Sequence, residues 1–195
     1  MNESSHKHPV AAGKSSFGLI DLKPVFAALP LAESTTILDL ACGAGAYTLE
    51  LARRLPQSTI HGLDLWDEGI AELRRAAARE GLANIKAIRA DAGRRLPFAD
   101  SSIDLCLAAT ILHDLVETTQ AAAALTEAAR ILRPGGILAV IEFIKKDGPP
   151  GPPAAIRLDP AELATLVVPH GFLAQPPQSA GEHLYLMRFV RSQLP

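Results

Sequence analysis

The run Asp39-Leu40-Ala41-Cys42-Gly43-Ala44-Gly45-Ala46 follows a short apolar stretch of β type. Glycines at 43 and 45 let the backbone turn sharply and approach a ligand at distances where a Cβ would collide. Asp64 closes a second apolar stretch 21 residues after Gly43. A carboxylate there can accept hydrogen bonds from both hydroxyls of a ribose, and Leu65 beside it can pack on a base. Asp91 closes a third stretch and suits an adenine amino group. Two acids without a phosphate-binding cation fit a nucleoside that carries no phosphates. Thr48 stands where a dinucleotide fingerprint needs Gly or Ala, which argues against a pyrophosphate. Gly13-Lys14-Ser15 looks like the end of a P-loop, but His8 occupies the position of its first glycine and no strand precedes it.

Two further residues bear on proton transfer. His113, with Asp114 as orienter or substitute, follows a fourth apolar stretch and is the candidate base, against the commoner role of a packed or surface histidine. His61 lies inside the second stretch and reads as packed. Cys42 and Cys106 are 64 positions apart in or beside apolar runs, where a free thiol behaves as a small hydrophobe. There is no CxxC motif or Cys/His cluster with metal-ligand spacing, so no metal is expected.

The elements that must hold these residues alternate. Ile37–Ala41, Thr59–Leu65, Ile85–Ala90, Ile103–Ala109 and Ile137–Ile144 read as strands. Between them lie amphipathic stretches at Ala46–Leu55 and Ile70–Glu80, and an Ala-rich helix ending near Leu132. Continuous apolar strands are covered on both faces, and crossover helices make such a sheet parallel. Gly81 is expected to end the second helix and Pro134-Gly135-Gly136 to stop the long one. Asp159-Pro160-Ala161-Glu162 has the form of a capping box. Phe172–Gln178 and His183–Arg191 read as strands separated only by Ser179–Glu182, so they must form a hairpin. The expected fold is therefore a doubly wound α/β domain whose mostly parallel sheet carries an antiparallel C-terminal hairpin strand.

Composition limits the partners. The 195 residues suffice for one domain. Nineteen basic against 21 acidic residues give a formal charge of −2, so no global field attracts nucleic acid or a membrane surface. Met1–Pro9 lacks an apolar core for a signal peptide, and Ile137–Ile144, interrupted by Glu142, is too short to span a bilayer. A reduced, cytoplasmic protein is expected.

The run Ile37–Gly45 resembles motif I of the class I S-adenosylmethionine-dependent methyltransferases. Asp64, Asp91, the strand Asp104–Ala109 followed by Leu112-His113, and Leu132-Arg133-Pro134-Gly135-Gly136 resemble that family's later motifs in order and spacing. The likeness covers roughly residues 36–143 and extends to the hairpin, which is typical of the family's seven-stranded Rossmann-like sheet. The resemblance implies S-adenosylmethionine as methyl donor, S-adenosylhomocysteine as its product, and a small-molecule acceptor. It implies Asp39, Ala41, Gly43 and Gly45 around the methionine end, Asp64 at the ribose, Asp91 and Ala92 at the adenine, and the backbone of Ala108 near the amino acid moiety. Ala41 departs from the pattern, standing where the family usually has its first glycine. After the fourth strand the chain has Ala108-Ala109-Thr110-Ile111, not the Asn/Asp-Pro-Pro-aromatic tetrad of nucleic-acid amino methyltransferases, so a nucleobase nitrogen is not the expected target. A binding protein that uses this fold without catalysis is the rival reading, and a nicotinamide-dependent oxidoreductase fits less well.

Residues 1–33 precede the first strand, and the methyltransferase domain is expected from 34 to 195. Phe17, Leu19, Leu22, Val25 and Phe26 give the leading segment an apolar face, between polar residues and Pro30. In the resembling family such segments commonly cover the cofactor, so Ser15–Leu29 is expected to form a lid. The Gly148–Pro153 run reads as a stiff connector.

Overall fold

The apolar stretches lie side by side in the computed structural model, which describes residues 12–193. They are β1 (Thr36–Leu40), β2 (Thr59–Asp64), β3 (Ile85–Arg89), β4 (Ile103–Ala109) and β5 (Leu132–Phe143). All five are mutually parallel. Three further segments, β6 (Phe172–Ala174), β7 (Gln178–Ser179) and β8 (Leu184–Arg191), complete the sheet in the order β3-β2-β1-β4-β5-β8-β6. β8 runs antiparallel to β5, and β6 and β7 both pair with β8, so the expected hairpin is present. Its first arm is split in two. Gln175 N still donates to Arg188 O, but Pro176 and Pro177 have no N–H to offer the ladder.

Helices α1 (Leu22–Ala28), α2 (Ala46–Arg54) and α3 (Asp67–Glu80) precede β4. Helices α4 (Leu112–Glu117), α5 (Ala121–Ile131) and α6 (Pro160–Val167) follow it. Val25, Phe26, Tyr47 and Leu51 of α1 and α2 bury against Ile37, Leu105, Ile141 and Leu186. Leu112, Leu125, Ala128 and Leu163 of the later helices bury against Leu38, Cys106, Val140 and Met187 on the opposite face.

Local chemistry sets the helix limits. Gly81 adopts φ +67 and donates to the Ala77 and Ala78 carbonyls as α3 ends. At α6, Asp159 accepts from the Ala161 and Glu162 amides while Glu162 returns a bond to Asp159 N, the full reciprocal cap. α5 stops at Ile131, before Pro134 would clash with a helical carbonyl four residues back, and the chain passes straight into β5. Among the described residues no helix is long and apolar enough to cross a membrane.

β1 is flanked by β2 on one side and β4 on the other, so the chain's direction of travel across the sheet reverses there. In an open α/β sheet this reversal opens a crevice outside the carboxyl ends of the strands, where ligands sit.

Candidate functional site

At the carboxyl end of β1 the chain winds through residues 41–45. Ala41, Gly43 and Gly45 take φ of +59, +57 and +84. Ala41 thus holds a left-handed conformation at the position where the resembling family has glycine, which costs an L-residue about 1 kcal/mol or more. A Cβ on Gly45 would lie 2.4 Å from Leu73 Cδ1, so packing of α3 demands the glycine. A Cβ on Gly43 would meet nothing within 4 Å and would enter open space, the room a ligand needs.

Asp64, at the end of β2, faces this turn. Its Oδ2 accepts from Gly43 N and its Oδ1 from Trp66 N, both at 2.7 Å. A carboxylate has about four acceptor directions, so two backbone bonds leave capacity for ligand hydroxyls. Leu65 beside it is exposed. Asp91 follows β3, its Oδ1 accepting from Gly93 N at 2.9 Å, with Ala92 half-buried between them. Ala108, near the end of β4, is buried and pairs in register with Leu40. The acids, the turn and the end of β4 therefore meet at one edge of the sheet.

Asp39 is placed differently from the others. It is 1% exposed beneath the turn, and Thr48 Oγ1 donates to its Oδ2 at 2.6 Å. Burial raises its pKa to about 7 against the opposing Thr48 hydrogen bonds. Burial, with the neighbouring Asp39 charge, pushes the Cys42 and Cys106 thiols up, which leaves both unreactive.

His113 opens α4 and is 4% exposed. Its Nδ1 lies 2.8 Å from Oε2 of Glu142 on β5, and its backbone N–H donates to Glu142 Oε1 at 3.2 Å. Its Nε2 lies 3.6 Å from Asp114 Oδ1, beyond hydrogen-bonding distance. Burial lowers the His113 pKa, but the hydrogen bond and charge of Glu142, with the charge of Asp114, more than offset it and the net shift is upward. Arg157 acts the other way. It is fully buried, caged by the carbonyls of Ile144, Gly148, Pro150 and Pro152, and stacks over Phe143, whose ring meets His113 edge-on at 6.3 Å between centroids. The expected connector is therefore a loop wrapped round a cation.

The leading segment crosses the same edge. Ser16 is buried between Tyr47, 3.0 Å to its hydroxyl, and Thr110, 3.1 Å to its Oγ1. Gly13 approaches the Trp66 ring, and Asp21 N donates to Ala180 O in the hairpin loop at 2.8 Å. Residues 1–11 of the expected N-terminal unit lie outside the described residues. A groove of about 400 Å³ is lined by Ile144, Lys145, Pro160, Pro177 and Tyr185. A larger groove, about 700 Å³ between α1 and Arg54, contains none of the site residues.

Sequence reasoning found the turn and both strand-end acids but missed Glu142, Arg157, Trp66 and Ser16. A carboxylate interrupting the apolar run 137–144 was the one available signal for Glu142.

Comparison with known proteins places this architecture. The methyltransferase domain family matches residues 37–136, just over half of the chain. The chain belongs to that family, and its fold and motif order are those of the class I S-adenosylmethionine-dependent methyltransferases. A demethylmenaquinone methyltransferase of Thermus thermophilus is 38% identical over 122 residues, 63% of this chain and 51% of that protein. A trans-aconitate 2-methyltransferase of Azoarcus is 35% identical over 118 residues, 60% of this chain and 43% of that protein. The chain thus spans about half the length of the curated relatives it matches. Among solved structures, a SAM-dependent methyltransferase from Aquifex aeolicus superposes with a TM-score of 0.81 at 22% identity, covering 91% of this chain and 93% of that one.

Proposed function

We propose that this protein transfers the methyl group of S-adenosylmethionine to a small-molecule acceptor. The observation that carries the reading is the pairing of Asp64 with the left-handed turn at 41–45, where Gly43 leaves open space beside an acid suited to a ribose. Ala41, Gly43 and Gly45 line the methionine end above the buried Asp39, Asp64 holds the ribose with Leu65 beside it for the base, Asp91 and Ala92 take the adenine, and Ala108 offers its backbone. When bound, the donor supplies an electrophilic methyl group on a sulfonium. The protein's part is to align the acceptor, exclude water and, where the nucleophile keeps a proton, remove it. His113 is the residue for that removal, with Asp114 beside it.

Residues 13–20 act as a strap over the crevice, held by Ser16, while α1 anchors the strap in the core. The relatives' names include acceptors of three kinds: demethylmenaquinone, trans-aconitate and a fatty acid. All are small molecules, which supports the acceptor class.

Calorimetry with S-adenosylmethionine, S-adenosylhomocysteine and NAD tests the donor. The first two should bind and NAD should not, and tighter binding of NAD than of either overturns the reading. Incubation with methyl-labelled donor and fractionated cell extract then identifies the acceptor.

A further inference from the structure

We propose that Glu142 is the positioning residue of the methyl-transfer site, fixing His113 so that Nε2 is the proton acceptor for an acceptor molecule whose nucleophilic atom still carries a proton at neutral pH. The inference rests on the functional reading above and deepens it.

The geometry specifies the tautomer. An ionised carboxylate only accepts hydrogen bonds, so with Glu142 charged the 2.8 Å contact between Nδ1 and Oε2 puts the proton on Nδ1. In the neutral ring the lone pair is then on Nε2, which makes no hydrogen bond among the described residues. The second oxygen of Glu142 holds the backbone N–H of the same residue, so one side chain fixes both the start of α4 and the plane of the ring. Glu142 is itself fully buried near the carboxyl end of β5, where pairing with Tyr185 of β8 restricts its movement. Asp114 lies 3.6 Å from the other nitrogen, too far for a hydrogen bond, and is part-exposed, so it does not fix the ring.

The charged and titratable groups around the ring come from four elements. Glu142 on β5 and Asp114 on α4 favour the imidazolium, Arg157 beyond Phe143 disfavours it, and Tyr185 on β8 stands opposite Glu142 in register. A paired histidine with its second nitrogen free is of use to a hydroxyl or a carbon acid. A carboxylate acceptor is already deprotonated and needs no base. In the transfer the acceptor's proton passes to Nε2 and the electron pair it leaves bonds to the methyl carbon. The methyl–sulfur pair returns to sulfur, so His113 gains the positive charge that the donor loses.

The test uses the full chain. Nitrogen-15 spectra of histidine-labelled protein, with His113→Gln assigning the resonance, should show neutral His113 protonated on Nδ1 and titrating above an ordinary histidine. Glu142→Gln, which keeps shape and an acceptor oxygen, should lower that midpoint, whereas Asp114→Asn should move it less. Protonation on Nε2 in the wild type, or an unchanged midpoint in Glu142→Gln, overturns the proposal. The wild-type spectrum decides even if the variant fails to fold. With labelled donor and the active extract fraction, Glu142→Gln should reduce kcat about 10- to 100-fold and leave the calorimetric Kd for S-adenosylmethionine unchanged. Equal loss of donor affinity would assign Glu142 a structural role and overturn the proposal. Failure of the wild type to bind the donor would instead defeat the functional reading, with the tautomer still measurable.

Discussion

Thr48 Oγ1 donates to Asp39 Oδ2 at 2.6 Å, tying the first turn of α2 to the interior of β1 directly beneath the left-handed turn. The acid at the base of the site is therefore a buried one, with a pKa raised by burial from 3.8 to about 7. A raised folded-state pKa in an acid means the folded chain holds a proton that the unfolded chain has released between these values. Stability accordingly falls as pH rises from about 4 to about 7.

Asp39→Asn keeps an acceptor for Thr48 and removes the charge. It should flatten that dependence and stabilise the unliganded protein at neutral pH by on the order of a few kcal/mol. Urea unfolding at pH 5 and pH 8 checks it; parallel losses in variant and wild type would contradict the assignment.

Asp64→Ala should weaken donor binding by about 1.5 to 3 kcal/mol, roughly 10- to 150-fold, the usual worth of hydrogen bonds to a charged partner. It also deprives Gly43 N and Trp66 N of their acceptor, so stability should fall in the same variant. Asp64→Asn keeps one acceptor oxygen, so it loses one of the two backbone bonds and its stability should fall less than that of the alanine variant. Calorimetry that finds an unchanged Kd in both variants would remove Asp64 from the site.

For His113 the sign follows from its raised pKa. The pairing with Glu142 stabilises the fold fully below pH of about 6.5 and is lost as pH rises through the higher folded value. Activity runs the opposite way, because the base must be neutral, so kcat should climb with pH through that value. His113→Ala should lower kcat at least about a hundredfold with donor affinity nearly intact. A drop below about tenfold would leave His113 only lining the crevice.

The strap should respond to the donor. Trp66, the single tryptophan, has its backbone on Asp64 and its ring beside Gly13, and its Nε1 is buried with no hydrogen-bond partner among the described residues. Donor binding should change its fluorescence and slow hydrogen exchange in Phe17–Ile20 more than in the terminal hairpin. Deleting residues 1–23 should impair binding without unfolding the sheet. Exchange already slow and insensitive to ligand would make the segment ordinary core, as the burial of Val25 and Phe26 already makes α1.

What the sequence displays and what it hides divide along physical lines. The glycine turn, Asp64 and Asp91 are legible because each sits where a periodic apolar run ends. The hairpin is legible because four residues can join only antiparallel neighbours. Glu142 is hidden because its partner lies 29 positions away and meets it only after β4 and β5 pair in register. Arg157 is hidden because its partners are main-chain carbonyls, which any sequence possesses. Thr48 reads as a departure from a dinucleotide motif, and only packing reveals what it is bonded to.

The split between β6 and β7 has a consequence for the protein as one molecule among many. An outer strand with free amides and carbonyls is a template on which a second chain can add a strand of its own. Here Pro176 and Pro177 interrupt that row, leaving pieces of three and two residues, each too short to hold a partner by main-chain bonds. The two prolines thus guard the sheet against polymerising through this one of its two outer edges, opposite β3, while the hairpin inside it stays paired.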